Sequence, residues 1–435
     1  LAVSFHYHLP MAAPPSPSLV LAFEDARRVV ESHAAQVAPG GNETLALLQA
    51  AGRVLAEPIA ADRDIPPFPR STRDGYAVRA TDLATLPAQL KVIGEIKAGP
   101  LQLPSSLNRG EAFSIMTGAP VPQGADAVVM VEYTSPKGDS VEITKGAAPG
   151  ENIVQQGAEA RRGSLLLDRG AHLNETAIAL AASVGKSRLQ VFTRPRVAVL
   201  STGDEIVALD AEVGLTQIRN SNSYSLAVQI QQAGGEPVLL PIAPDEPRRL
   251  RQLIEKGLQS DLLIMTGGVS MGRYDLVEQV LAELQAEFLF TGAKIQPGKP
   301  VVFGRVPCGA GAPAREGASA PAKHKYFFGL PGNPVSTMVT FELFARPIIE
   351  ALAGMSPRPL TFLHARLKSE IRVKPGLKRF LPAVLSGQYE DAQVELVSWQ
   401  GSGDIAAHAR ANCYMVIPPD RDQIKAAEWV AIMPR

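Results

Sequence analysis

The stretch DLLIMTGGVSMGRYD, Asp261–Asp275, carries three physical signals in succession. Leu262, Leu263, Ile264 and Met265 make a short continuous apolar run of the kind a strand buried on both faces presents. Thr266, Gly267, Gly268, Val269, Ser270, Met271 and Gly272 follow as a glycine-rich turn with two hydroxyls. Asp275 then opens an amphipathic segment in which Leu276, Val280, Leu281 and Leu284 are spaced for one buried helix face. Strand, glycine turn and helix start together aim backbone N–H groups at one point, where an anion can be held with help from the helix dipole. Asp275 has two readings there: an N-cap for the helix, or a magnesium ligand beside a phosphate.

The same alternation runs on both sides. RVAVLSTGDE (Arg196–Glu205) precedes the helical NSYSLAVQIQQAGG, and EPVLLPIAPDE (Glu236–Glu246) precedes PRRLRQLIEKGL. Further strands at Phe288–Ile295 and Val301–Gly304 flank the turn PGKP, and KYFFGL leads through PGNP into the helical VSTMVTFELFARPIIEALAG. Alternating strands and helices predict a mostly parallel sheet with helices on both faces. In such a sheet ligands bind beyond the carboxyl ends of the strands. That rule selects the turns TGDE (Thr202, Gly203, Asp204, Glu205), PDE (Pro244, Asp245, Glu246), TGGVSMGRYD, PGKP (Pro297, Gly298, Lys299, Pro300) and LPGNP (Leu330, Pro331, Gly332, Asn333, Pro334). Several acids on one edge repel unless a cation sits among them, and hard oxygen ligands suit magnesium. Lys299 on a stiff Pro-Gly turn suits an oxyanion. The expectation is a magnesium-dependent site for a phosphorylated ligand.

Before this region, residues 23–37 show helical spacing, with His33 as a packed or boundary residue, and Leu45–Val54 reads as a second, shorter helix. DIPPFPRSTRDGYAV (Asp64–Val78) is a proline-stiffened arm ending in the Asp74-Gly75 turn. Asp74 is either a plain turn aspartate or an acid delivered to a neighbouring site. Short strands broken by Gly and Pro from Leu90 to Ile143 predict a small β insert. After Ser356-Pro357 the chain turns strand-like again. The expected fold is multidomain α/β plus β. A discontinuous N-terminal linker and dimerisation domain takes residues 19–75 and 150–190, and a β insert takes 76–149. A three-layer α/β domain with a mostly parallel sheet takes 191–355, and a C-terminal β domain takes 356–435.

At 435 residues the chain has room for roughly three domains. Lys plus Arg and Asp plus Glu each number 43, so the formal net charge is zero, which disfavours non-specific binding to nucleic acid or to an anionic membrane. Cys308 and Cys413 lie far apart without CxxC spacing; neither a disulfide framework nor a zinc site is expected, and a cytoplasmic setting is. No apolar run reaches the length of a membrane span. Residues 1–18, LAVSFHYHLPMAAPPSPS, lack the build of a signal peptide, are expected to form a disordered leader, and contain a second candidate start at Met11. His172, His324, His364 and His408 read as surface residues, and no Ser-His-Asp or Cys-His set stands out. No G-x-G-x-x-G follows a strand and no G-x-x-x-x-G-K-[ST] occurs, which disfavours NAD and ordinary P-loop chemistry.

TGGVSMGRYD, STGDE, IQPGKP and GLPGNPVS, with RDGYAV and IMTGAPVPQGADAVV upstream, resemble the molybdopterin molybdenumtransferases, the last enzymes of molybdenum-cofactor synthesis and relatives of the gephyrin E domain. The likeness runs from about Leu19 to Arg435, with the motifs in the family's order. It implies an elongated four-part protomer, a homodimer, and a magnesium-dependent enzyme that cleaves adenylylated molybdopterin, releases AMP and inserts molybdate into the dithiolene. Carried over by motif, the catalytic residues would be Asp74, Thr117, Glu205, Asp245, Asp275 and Lys299, with Glu205, Asp245 and Asp275 as metal ligands. Substrate would meet Thr202, Gly203, Gly267, Gly268, Ser270, Gly298, Pro331, Gly332 and Asn333, and molybdate would meet Pro297, Arg379 and Ser402. The chain departs from the family pattern twice. Gln296 stands where a lysine is common before PGKP, with Lys294 two residues earlier, and Arg73 stands where an apolar residue usually precedes the acid. Two rivals remain: the preceding step, molybdopterin adenylylation by a related α/β domain, which has no use for Asp74 or the two β regions; and a non-catalytic gephyrin-like scaffold, which has no use for Glu205, Asp245 and Asp275 together. The adenylyltransferase is also a candidate partner for substrate delivery.

Overall fold

The computed structural model describes residues 19–99, 106–268, 276–308, 324–356, 358–388 and 390–435; the expected leader, 1–18, lies outside them. The chain forms two compact units. The smaller takes Thr44–Ala51 and Glu57–Leu189, the larger Leu1–Glu43, Gly52–Ala56 and Gln190–Arg435.

In the smaller unit, β1 (Gly75–Val78), β2 (Ala88–Ile96), β3 (Glu111–Ile115), β4 (Ala127–Met130), β5 (Thr134–Lys137) and β6 (Ser140–Ile143) build a six-stranded sheet in the order β4-β1-β3-β2-β6-β5. Alternation along the strands sends Val78, Leu90, Val129 and Val141 into one core and Ala77, Phe113, Ile115 and Val128 into another. β1 is sandwiched between β4 and β3, and a Cβ at Gly75 would collide with the Val129 carbonyl oxygen, so the strand can start here only with glycine. Helix α2 (Glu175–Ser183) is capped by Asn174, whose Oδ1 accepts the Ala177 N–H at 2.9 Å. The expected helix over Leu45–Val54 does not form. Asn42–Ala46 is extended, Leu47–Ala50 is one 3₁₀ turn, and Gly52 at φ 72° ends it. A short apolar run does not by itself separate helix from strand.

The larger unit is organised by a sheet of β7 (Arg196–Ser201), β8 (Glu236–Leu239), β9 (Leu262–Thr266), β10 (Glu287–Phe290), β12 (Val302–Pro307) and β13 (His324–Leu330), in the order β8-β7-β9-β13-β12-β10; β11 (Ile295–Gln296) lies between β10 and β12 in sequence and belongs to a second sheet. The first four strands are parallel, and β12 runs antiparallel to both β13 and β10. Successive residues of β7 feed opposite faces: Val197 and Val199 join one core, Ala198 and Leu200 the other. The first core takes Phe23, Ala26 and Val30 of α1 (Phe23–Ala34), Leu226 and Ile230 of α3 (Asn222–Gln232), Val335 and Val339 of α6 (Pro334–Thr340), and Ile348 and Ile349 of α7 (Arg346–Leu352). The second takes Leu250 and Ile254 of α4 (Pro247–Gly257) and Val277, Val280 and Leu281 of α5 (Leu276–Glu283). Helix α1 is thus part of the α/β core, and its Phe23 ring lies 5.2 Å from that of Phe380 and 6.1 Å from that of Phe344. His33 donates to or accepts from the Tyr326 hydroxyl at 3.1 Å and packs edge-on to Phe303, a packed residue as its helical position suggests.

C-terminal strands β14 (Leu363–Leu367), β15 (Lys378–Ser386), β16 (Gln393–Leu396), β17 (Cys413–Ile417) and β18 (Trp429–Pro434) follow the order β15-β16-β14-β18-β17. β17 pairs back onto β15, which closes the ring, and β11 extends it beside β15. The multidomain α/β plus β fold is therefore the one the sequence predicts. His408 is a correction. It is only 2% exposed, because α8 (Ile405–Arg410) turns Ala407 and His408 inward, and its Nε2 meets the Tyr414 hydroxyl at 3.2 Å. Burial holds its pKa down at about 4.

Candidate functional site

Strand β7 has β8 on one side and β9 on the other, so the connections leaving its carboxyl end and that of β9 diverge. A crevice opens where strand order reverses, and ligands enter there. Thr202 closes the edge: its N–H donates to the Thr266 carbonyl at 3.0 Å, and Gly203 N–H donates to the Ala243 carbonyl at 3.2 Å. Gly267 and Gly268 turn away from β9 at φ 87° and 59°. A Cβ at Gly267 would collide with the Thr202 carbonyl oxygen, and one at Gly268 would lie 2.7 Å from Thr202 Oγ1. The LPGNP turn, after parallel β13, stacks on this pair, with the Cβ position of Gly332 3.5 Å from Gly267 Cα. PGKP reaches the same edge because it follows β10, which runs with the parallel strands, and precedes antiparallel β12. Gly298 is packed so that a Cβ would strike Thr340.

The acids stand on exposed turns of this edge. Asp245 N–H donates to Asp204 Oδ1 at 3.1 Å. Partial burial, then the charges of Asp204 and Glu205, push the Asp245 carboxyl above the usual range. The Glu205 carboxylate folds over Gly203, where a Cβ would meet it. Among the described residues no group of three or more His, Cys, Asp or Glu is arranged to hold a metal ion. The third expected ligand, Asp275, lies outside the described residues, as does Ser270. Lys299 is exposed, and its ammonium group has no partner among the described residues.

A polar brace ties the turns together. Asn222 Nδ2, at the start of α3, donates to Thr266 Oγ1 at 2.9 Å and to the Gly332 carbonyl at 2.8 Å. Thr266 Oγ1 donates in turn to the Pro331 carbonyl at 3.1 Å, which also accepts from Thr337 Oγ1 at 2.5 Å. Asn333 Nδ2 donates to Ser402 Oγ at 2.9 Å, linking this edge to the C-terminal β region. Thr202 Oγ1, on a residue 2% exposed, has no hydrogen-bond partner among the described residues. Sequence reasoning missed Asn222 and Thr337. The signal for Asn222 was the polar NSNS run, Asn220–Ser223, just before a helix of the α/β region.

Arg379 is 7% exposed, its Nη1 donates to the Leu377 carbonyl at 3.1 Å, and no carboxylate pairs with it among the described residues. Burial lowers its pKa, though a guanidinium stays charged. Register sets Gln296 of β11 opposite Arg379 of β15, next to Pro297. In the smaller unit Asp74 and Thr117 come together: Thr117 N–H and Oγ1 donate to Asp74 Oδ1 at 2.6 and 2.9 Å. These two hydrogen bonds hold the exposed Asp74 carboxyl below the usual carboxylate range.

Fold and edge define a multidomain α/β protein with glycine turns, acids and a polar brace gathered at the switch point of its sheet. Family models match along the chain: the MoeA N-terminal region (domain I and II) over residues 21–185, a "probable molybdopterin binding domain" over 198–351, and the MoeA C-terminal region (domain IV) over 364–434. A molybdopterin molybdenumtransferase of Nostoc sp. is 35% identical over 401 residues, covering 90% of this chain and 88% of the relative. One from Haemophilus influenzae is 32% identical over 406 residues, covering 91% and 94%. Among solved structures, a molybdopterin biosynthesis MoeA protein from Pyrococcus horikoshii has 27% identity, a TM-score of 0.76, and coverage of 96% of this chain and 100% of its own. The chain belongs to the molybdopterin molybdenumtransferase family.

Proposed function

We propose that this chain inserts molybdenum into molybdopterin, taking adenylylated molybdopterin and molybdate, releasing AMP and yielding molybdenum cofactor. Its relatives at 32–35% identity bear the name of that activity. The observation that carries the reading is the meeting of glycine turns with Asp204, Glu205 and Asp245 at one sheet edge. A substrate with a phosphoanhydride needs both features: backbone N–H groups for its oxygens, and acids to place a cation beside them.

In this reading Thr202, Gly203, Gly267, Gly268, Pro331, Gly332 and Asn333 form the cradle, with Ser270 as a further donor. Gly298 shapes the turn that presents Lys299 to a phosphate. The hard oxygens of Glu205 and Asp245 fit magnesium, and the repulsion that raises the Asp245 pKa is what a cation would relieve; Asp275 would complete the ligand set. Magnesium bound there would neutralise charge developing on the leaving phosphate. Asp74, kept ionised by Thr117, is the remaining acid assigned to the reaction. Molybdate, a tetrahedral dianion, is assigned to Arg379, Ser402 and Pro297. A buried cation without a carboxylate partner suits an oxyanion that arrives from solution. We assign the active form as a homodimer in a reducing compartment, where the thiols of Cys308 and Cys413 stay free.

The test is AMP release from adenylylated molybdopterin with the full chain, with and without molybdate and magnesium. Release that needs both, with molybdenum recovered in the pterin product, is expected. No AMP release under any of these conditions overturns the reading, and native mass spectrometry decides the dimer.

A further inference from the structure

We infer that Asn222 is a positioning residue for adenylylated molybdopterin, its amide fastening the Thr266–Gly268 turn to the Pro331–Asn333 turn. The inference rests on the function proposed above and adds a residue that none of its assigned roles includes. Chemistry fixes the direction of the hydrogen bonds. The carbonyls of Gly332 and Pro331 can only accept, so the Asn222 NH₂ faces Gly332 at 2.8 Å, and the Thr266 hydroxyl spends its proton on Pro331 at 3.1 Å. Thr266 Oγ1 is then left to accept from Asn222 at 2.9 Å.

The two turns meet with Gly332 over Gly267, and the Thr266 hydroxyl joins them directly through the Pro331 carbonyl. The directions of their N–H groups therefore depend on this one bond and on what holds the turns from outside. Thr337 holds Pro331 from the α6 side; Asn222 alone, among the described residues, bonds to both turns. Alanine at 222 removes both bonds. Aspartate keeps the shape but sets a carboxylate against the Gly332 carbonyl and adds negative charge beside an anionic ligand.

The measurement is AMP release by the full chain, varying adenylylated molybdopterin and molybdate separately. Asn222→Ala should raise KM for adenylylated molybdopterin about tenfold, the worth of one or two hydrogen bonds. The half-saturating molybdate concentration should stay put, and Asn222→Asp should lose more than Asn222→Ala. An unchanged KM in Asn222→Ala, or an equal shift in both substrates, overturns the assignment. Should Asn222→Ala fail to fold, Thr266→Val and Thr266→Ser decide: the serine, which keeps the hydroxyl, must hold the lower KM, and equal values overturn the inference. A wild-type chain that releases no AMP is a separate result that removes the proposed function itself.

Discussion

Replacing Gly267 by alanine separates a backbone requirement from a mere preference for small residues. Gly267 sits at φ 87°, where a β-carbon costs roughly 1–2 kcal/mol. That β-carbon would also run into the carbonyl oxygen of Thr202. The obstacle is main chain at the end of a buried strand, so it cannot swing aside as a flexible side chain would, and overpacking of this kind costs roughly 1–3 kcal/mol. Together the two make about 2–5 kcal/mol, which lowers the melting temperature by on the order of 5–15 °C in a unit of this size. Gly332→Ala is the control. Gly332 is not among the positive-φ glycines, and its β-carbon would meet Gly267 Cα at 3.5 Å, ordinary contact, so its change should stay within about 0.5 kcal/mol. Scanning calorimetry of the two variants beside wild type makes the comparison. A Gly267→Ala chain that melts no lower than Gly332→Ala would refute the reasoning, because neither the left-handed backbone nor the Thr202 collision would then be real.

Three further outcomes are expected. Asp245 has a raised pKa in the folded chain, so its ionisation opposes folding, with the penalty absent below the ordinary value and complete above the raised one. Magnesium at neutral pH should therefore raise the melting temperature of wild type, and a rise of the same size in Asp245→Asn would remove Asp245 from the metal site. Asp74 is shifted the other way by Thr117, so its contribution is present above the ordinary pKa and lost as pH falls through the depressed one. Thr117→Val removes the hydroxyl and keeps the backbone N–H, so it should return the Asp74 pKa part of the way toward 3.8, read by carbon NMR of the carboxyl, and an unmoved titration would show that the hydroxyl does not help to set it. Arg379→Ala should move the AMP-release curve to higher molybdate while KM for adenylylated molybdopterin stays nearly unchanged; an unmoved curve would place molybdate elsewhere.

The fold was legible where periodicity and turn chemistry agreed. The apolar run at Leu262–Met265 became a strand buried on both faces, and α3 and α4 fell where their spacing placed them. The edge rule still applies to PGKP although β12 is antiparallel, because β10 restores the direction of that turn. Leu45–Val54 misled because a short apolar run fits either period, and Gly52 ends the turn before a helix can propagate. His408 misled because a six-residue helix is too short to show which face is buried. The NSNS run marks Asn222 as polar at a helix start, but its partners could not be read from sequence, since Thr266 and Gly332 are 44 and 110 residues away. A hydrogen bond of that kind exists only once the sheet has set its edge.

Burial also sorts the two ions that the proposed reaction brings together. Asp204, Glu205 and Asp245 stand exposed, where water softens their repulsion until a cation arrives. Arg379 is withdrawn from water with one carbonyl partner and no carboxylate among the described residues, a costly placement for a charge. The first arrangement attracts a divalent cation and repels an oxyanion; the second does the reverse. In the proposed reaction the acids on turns of the α/β sheet would take the cation, and the arginine on β15 of the closed β ring would take the oxyanion. Asn333 on one side and Ser402 on the other, hydrogen-bonded at 2.9 Å, then hold the two environments in register.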